Sequence, residues 1–262
     1  MKIGIVFKAG NKKAGDLAEV IEKYLGDKQV EVVGESNLAG ADYILSLGGD
    51  GTLIHKACEH AHFGATFVGI NTGNLGFLTA VDEADWKKAV DAVLGGKIYV
   101  SERISLIVKI GKEEFTAVNE IAIKGLYRVV DLSVSIKGED FLRISGDGVI
   151  VASQTGSTAY SLSSGGPIVD PDLDALLVTP INPIGLPIPS VVLSPKKEVE
   201  VEIVKGKDVS LIIDGQEHTK ISQSEIVRVW RGKDRVKLGY LSRHHFIGAL
   251  NAKFGLAGRL LK

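Results

Sequence analysis

Residues 48–52 read Gly-Gly-Asp-Gly-Thr, one carboxylate, Asp50, set among three glycines. Glycine lets backbone N–H groups turn toward an anion and lets a phosphate approach with no Cβ in its path. The apolar run Tyr43-Ile44-Leu45 precedes this stretch, and Leu53-Ile54-His55-Lys56-Ala57 follows with the look of a helix start. Such a start adds unpaired N–H groups and partial positive charge. An aspartate held beside phosphate is badly placed to bind it and well placed to take a proton or hold a metal. The local chemistry is phosphoryl transfer. An ordinary glycine-rich turn, with Asp50 capping the helix, is the other reading of these residues alone.

Four more polar stretches interrupt apolar runs. They are Asn71-Thr72-Gly73-Asn74-Leu75-Gly76-Phe77, the pair Asn119-Glu120, Gly146-Asp147-Gly148 leading on to Gln154-Thr155-Gly156-Ser157-Thr158-Ala159-Tyr160, and Asp214-Gly215-Gln216. Polar loops at several strand ends of one chain predict a cleft lined with hydrogen-bonding groups.

The elements that must position these groups differ along the chain. Residues 1–97 alternate short strands (Lys2–Phe7, Gln29–Val33, Ala41–Leu47, Thr66–Ile70) with helices (Ala14–Leu25, Asp82–Leu94). That alternation predicts a parallel sheet covered on both faces, with ligands beyond the carboxyl ends of its strands. Residues 98–232 are strand-rich. Period-two alternation in Asp131–Ile136, Glu198–Ile203 and Glu225–Arg231 predicts antiparallel sheets in a β-sandwich-like domain, with one short helix at Ser157–Ser164. A basic helical tail, within 233–262, is expected to return to the first domain.

Composition sets the outer limits. With 262 residues, 45% of them hydrophobic, the chain has ample material for two modest domains. A net charge of −1 gives no general attraction to nucleic acid or anionic membrane. Cys58 is the only cysteine, so an intrachain disulfide and a cysteine zinc site are both excluded, and a reducing, cytoplasmic setting is expected. The first residues show no secretory pattern. The uncharged run Ala175–Pro195 holds five of the seven prolines, too many for a spanning helix. It reads as extended buried or interface chain, and it motivates an expected oligomer. Neither a Gly-x-x-x-x-Gly-Lys-Ser/Thr loop nor a Gly-x-Gly-x-x-Gly fingerprint is present, against P-loop and dinucleotide-dehydrogenase readings.

Leu47–Thr52, Asn71–Phe77, Asn119-Glu120, Thr155–Tyr160, Gly165-Gly166-Pro167 and Asp214-Gly215-Gln216 occur in the order and approximate spacing of the NAD kinase family. The chain resembles that family from Lys2 to the basic tail. The Gly-Gly-Asp-Gly-Thr stretch alone is shared with lipid kinases and phosphofructokinases; the combination is far more specific. The resemblance implies transfer of the γ-phosphoryl of ATP, or of inorganic polyphosphate, to the 2′-hydroxyl of the adenosine ribose of NAD. A lipid or sugar kinase, or a non-catalytic pyridine-nucleotide sensor, is the alternative.

By the same resemblance Asp50 is the catalytic base, and Gly48, Gly49, Gly51 and Thr52 bind phosphate. NAD contacts fall to Asp50, Gly51, Asn71, Gly73, Phe77 on the adenine side, Asn119, Glu120, Thr155, Thr158, Ala159, Tyr160, Ser163 and Gln216. Asp147 and Asn182 would reach nicotinamide across a subunit boundary, and Asp214 would lie near the phosphates. Mg²⁺ would arrive with ATP, near Asp50 and Asp214, without a dedicated protein site. A homodimer or homotetramer is implied. The chain departs from the family pattern at Gln154, where many members carry proline, and at Ile184-Gly185-Leu186-Pro187, which lacks a common His-Ser-Leu stretch.

Overall fold

The computed structural model describes residues 1–73, 76–185, 187–223 and 225–255. It divides into two units, Met1–Glu102 with Val236–Lys262, and Arg103–Arg235. Both changeovers fall inside long strands, Tyr99–Ile110 and Ile226–Tyr240, so no turn signal marks them in the sequence. Asn74 and Leu75 of the second motif, Leu186, and the tail beyond Gly255 lie outside the described residues.

In the first unit the strands Glu31–Val33, Lys2–Phe7, Tyr43–Leu47 and Thr66–Asn71 are neighbours in that order, all parallel. Lys237 and Leu238 extend the sheet by pairing with Thr66 and Phe67, again parallel. The central strands are apolar on both faces, as a doubly covered parallel sheet requires. Ile3, Ile5, Leu45, Leu47, Val68 and Ile70 pack against Leu17, Ile21 and Leu25 of helix Lys12–Gly26, and against Ala89, Val90 and Val93 of helix Trp86–Leu94. Asn11 caps the first helix by accepting the Ala14 N–H at 3.2 Å.

The expected helix start at Asp82 is displaced. Asp82 pairs with Asn71 at a strand end and its Oδ1 takes the Asn71 Nδ2–H at 3.0 Å, so Glu83–Asp85 form a tight 3₁₀ turn and the α-helix begins at Trp86. The last described helix, His245–Phe254, belongs to this unit, as expected of the returning tail. No helix among the described residues is long and apolar enough to cross a membrane.

The second unit is a sandwich of two antiparallel sheets. One contains Glu139–Gly146, Val130–Ile136 and Val199–Lys205 beside the first part of Ile226–Tyr240, together with Tyr99–Ile110 and Glu113–Ala117. The other runs Val191–Leu193, Leu176–Ile181, Gly148–Ser153, Glu120–Gly125, Val209–Ile213, Gln216–Ile221. One core joins the inner faces: Leu106, Leu132, Val201 and Val227 from the first sheet meet Ile121, Ile123, Val151, Val178 and Leu211 from the second. The proline-rich run contributes Leu176–Ile181, fully buried, and Val191–Leu193. Pro180 lies beyond the end of its outer neighbour, since Val191–Leu193 pairs only as far as Val178, so one edge of the strand is unpaired there.

Candidate active site

Strand Tyr43–Leu47 ends at Gly48, and Asp50 opens helix Asp50–His60. The first amides of that helix have no acceptor within it, so the Gly49-Asp50-Gly51 turn offers donors to an anion. The Asp50 carboxylate is not free as a glycine-ringed acid on a turn would suggest. Its Oδ2 accepts the Phe77 N–H at 2.6 Å, and its Oδ1 accepts those of Leu78 and Thr79, each at 3.1 Å. A carboxylate has about four acceptor sites, so these three bonds leave one, on Oδ2. Gly76 is what lets the segment come so close: a Cβ there would lie 1.9 Å from Asp50 Oδ1.

Other residues of this unit serve the loop itself. Asn71 is buried, donating from Nδ2 to the Gly73 carbonyl at 3.2 Å as well as to Asp82, while its Oδ1 accepts the Gly73 N–H at 3.0 Å. Both polar ends of its side chain are therefore committed, so Asn71 and Gly73 shape the turn. The Phe77 ring, read from sequence as a surface for adenine, meets Phe254 at 5.8 Å between centroids and Lys253 Nζ at 4.6 Å. Gly48, Gly51 and Thr52 complete the turn, with Gly51 exposed.

The second unit holds a matching construction around Asp214, which sits in the turn after Val209–Ile213. Its Oδ2 accepts the Val118 N–H at 2.9 Å, and its Oδ1 those of Asn119 and Glu120 at 2.8 and 3.1 Å. Ser153 ties the neighbouring strand to the same place, donating from Oγ to the Val118 carbonyl at 2.5 Å and accepting the Thr155 N–H at 3.0 Å. Gly156 then lies so close that a Cβ would be 2.1 Å from the Asn119 carbonyl oxygen. Sequence reasoning passed over Ser153 because a serine on a buried strand has no distinguishing local signal.

This packing brings Asn119, Glu120 and Thr155 together, with Gln154 beside them, and leaves polar atoms unpaired. Asn119 Oδ1, Glu120 Oε2, Gln154 Oε1 and Thr155 Oγ1 are all buried without a hydrogen-bond partner. Unmet groups of this kind cost stability and need an explanation, such as a ligand that completes them. Burial, aided by the negative charge of Asp214, pushes the Glu120 carboxyl up to about 8, although the Tyr160 N–H bonds to it. Burial raises Asp214 as well, against the pull of its three amide bonds. Gln154 Nε2 donates to Asp174 Oδ1 at 3.3 Å, and the Arg235 guanidinium grips both oxygens of Asp174.

The remaining expected contacts spread outward. Thr158 donates to the Thr155 carbonyl at 3.4 Å, Ala159 opens the short helix Tyr160–Ser163, and the Tyr160 ring has Lys124 Nζ 5.9 Å from its centroid. Ser163 and Gln216 are exposed. Asn182, in the left-handed region at φ 44°, donates to Asp147 Oδ2 at 2.8 Å, so these two are joined to each other. Asp50 and Asp214 each hold three backbone amides, which leaves each carboxylate one acceptor site for a further partner. Glu35, Glu59 and His60 also cluster, but Lys56 Nζ, 2.5 Å from Glu35 and 3.0 Å from Glu59, supplies the positive charge there.

Comparison with known proteins follows the same division. The ATP-NAD kinase N-terminal domain model matches residues 35–98 and the C-terminal domain model residues 118–239. An NAD kinase of Fusobacterium nucleatum is 34% identical over 97% of both chains. A yeast NADH kinase crystallised with NADH superposes over 100% of this chain and 90% of its own, with a TM-score of 0.87 and 23% identity, a likeness of fold. An Archaeoglobus fulgidus NAD kinase in complex with ATP has a TM-score of 0.78 and 25% identity, covering 96% of this chain and 99% of that one. With the relative matched end to end and both domain models found in order, this chain belongs to the NAD kinase family of phosphotransferases.

Proposed function

We propose that the protein transfers the γ-phosphoryl of ATP to the 2′-hydroxyl of the adenosine ribose of NAD, with Asp50 as general base. The carrying observation is the Asp50 carboxylate: fixed by three amides, at the start of a helix, with one acceptor site left on Oδ2. A ribose hydroxyl is a poor nucleophile, and the remaining Oδ2 lone pair takes its proton as the O2′–P bond forms. The bond from the γ-phosphorus to the β–γ bridging oxygen breaks, releasing ADP. Phosphoryl transfer depends chiefly on alignment and charge neutralisation. The amides of Gly49 and Gly51 and the helix start serve the phosphates, with Gly48 and Thr52 shaping the turn.

Mg²⁺ belongs to the donor, entering as MgATP and held by its phosphates, since the three amides on each of Asp50 and Asp214 leave a single acceptor site apiece. NAD recognition falls to the second unit. The unpaired Asn119, Glu120 and Thr155 atoms supply hydrogen bonds, Glu120 in its neutral form as a donor, and Thr158, Ala159, Tyr160 and Ser163 form the adjoining wall. Asp147, Asn182, Asp214 and Gln216 contribute around it, Asp214 by ordering the 118–120 amides. The uncharged proline-rich run supports a homodimer or homotetramer, which light scattering at micromolar protein checks.

The test is direct. Pure protein, MgATP and NAD are mixed, and NADP is assayed with an NADP-specific dehydrogenase; steady NADP formation is expected, and its absence with either ATP or polyphosphate contradicts the proposal. A lipid or sugar acceptor phosphorylated in place of NAD would assign the chain to the relatives that share only the glycine turn.

A further inference from the structure

The segment that fixes Asp50 is itself held from the other side. His245, the first residue of the last described helix, places Nε2 3.2 Å from the Phe77 carbonyl oxygen. A carbonyl only accepts, so Nε2 carries the proton. That carbonyl belongs to the peptide unit whose nitrogen is Leu78, and the Leu78 N–H donates to Asp50 Oδ1. One peptide therefore joins imidazole and carboxylate in a single chain of hydrogen bonds, each polarising the next. The His245 ring is stacked on Tyr240, 4.2 Å between centroids and 16° between planes, which fixes its direction. Lys253 and Phe254 of the same helix flank the Phe77 ring. Residue 77 is thus gripped at its carbonyl and at its ring while its N–H faces Asp50.

We infer that His245 is a positioning residue for Asp50, acting through the Phe77–Leu78 peptide to aim the carboxylate. The inference rests on the reading of Asp50 as general base. A donor on the far side of the peptide restrains the Leu78 N–H, and with it the direction of the one free Oδ2 acceptor site. Alignment of a base is sensitive to ångström-scale displacements, so its loss shows in turnover before it shows in substrate affinity.

The experiment compares His245→Phe, which keeps a ring against Tyr240 and deletes the donor, with His245→Gln, which restores an N–H donor. Expected for His245→Phe is a fall in kcat of about tenfold with KM for NAD changed by less than about twofold. His245→Gln recovers most of the rate at an unchanged melting temperature, which keeps the proposal testable if the phenylalanine variant is less stable. In an Asp50→Asn background His245→Phe lowers the residual rate no further, since both act through one group. Unchanged kcat in His245→Phe, or no recovery in His245→Gln, overturns the inference while leaving Asp50 as base. Wild-type turnover by Asp50→Asn alone overturns both.

Discussion

The Phe77 backbone nitrogen lies 2.6 Å from Asp50 Oδ2, which makes the acidic residue of one glycine turn the fastening of the next. Asp214 does the same for residues 118–120. In both units a carboxylate gathers three consecutive amides, and in both the gathered segment carries residues of a family motif. The arrangement orders loops that would otherwise have no regular structure.

Gly76→Ala tests the closeness of the first fastening. Its Cβ would fall 1.9 Å from the carboxylate, so the segment must retreat and the amide bonds must lengthen. Turnover is expected to drop about a hundredfold, the scale of an ångström-sized misplacement. Steady-state kinetics of the variant, with circular dichroism to show that it folds, measure this.

At the second fastening, Asp214→Ala leaves the Val118, Asn119 and Glu120 amides without their acceptor. Each that stays out of water costs about 1–3 kcal/mol, so a large fall in melting temperature is expected. Asp214→Asn keeps one acceptor oxygen and should lose less. Differential scanning calorimetry ranks the three proteins.

Glu120 gives the fold a pH dependence of definite sign. Its carboxyl, ordinarily near 4.5, is raised to about 8 by burial and by Asp214, so the folded protein binds this proton more tightly than the unfolded chain. Its contribution to stability is full below about 4.5, declines as the pH rises, and levels off above about 8. Melting temperatures of the wild type should therefore fall between about pH 4.5 and about pH 8, and Glu120→Gln, neutral throughout, should flatten that slope.

Thr155→Val separates binding from folding. The hydroxyl is buried and unpaired, so an isosteric methyl costs little stability, while a hydrogen bond to NAD is lost. KM for NAD is expected to rise about fivefold, matching a bond worth about 1 kcal/mol.

Much of this was legible in the residues. Apolar strands at Lys2–Phe7 and Thr66–Asn71 and the glycine turn between strand and helix carry their own signals, and so does the strict alternation of Val199–Lys205. Of the long strands, Tyr99–Ile110 and the part of Ile226–Tyr240 beyond Arg231 were not legible, because each strand changes unit part-way and its burial pattern changes with it. The partners of Asp50 and Asp214 were hidden for another reason: backbone amides are present at every non-proline residue, and only the fold selects three. His245 lies 168 residues from Phe77, and no local pattern connects them.

The central claim is that the Asp50 carboxylate receives the proton of the attacking hydroxyl. It is tested most directly by measuring NADP formation from NAD and MgATP in Asp50→Asn beside NAD binding to the same protein. The account predicts binding within about twofold of the wild type and kcat lower by about two to four orders of magnitude, the range of general-base catalysis. A variant that binds NAD and forms NADP at the wild-type rate would contradict it.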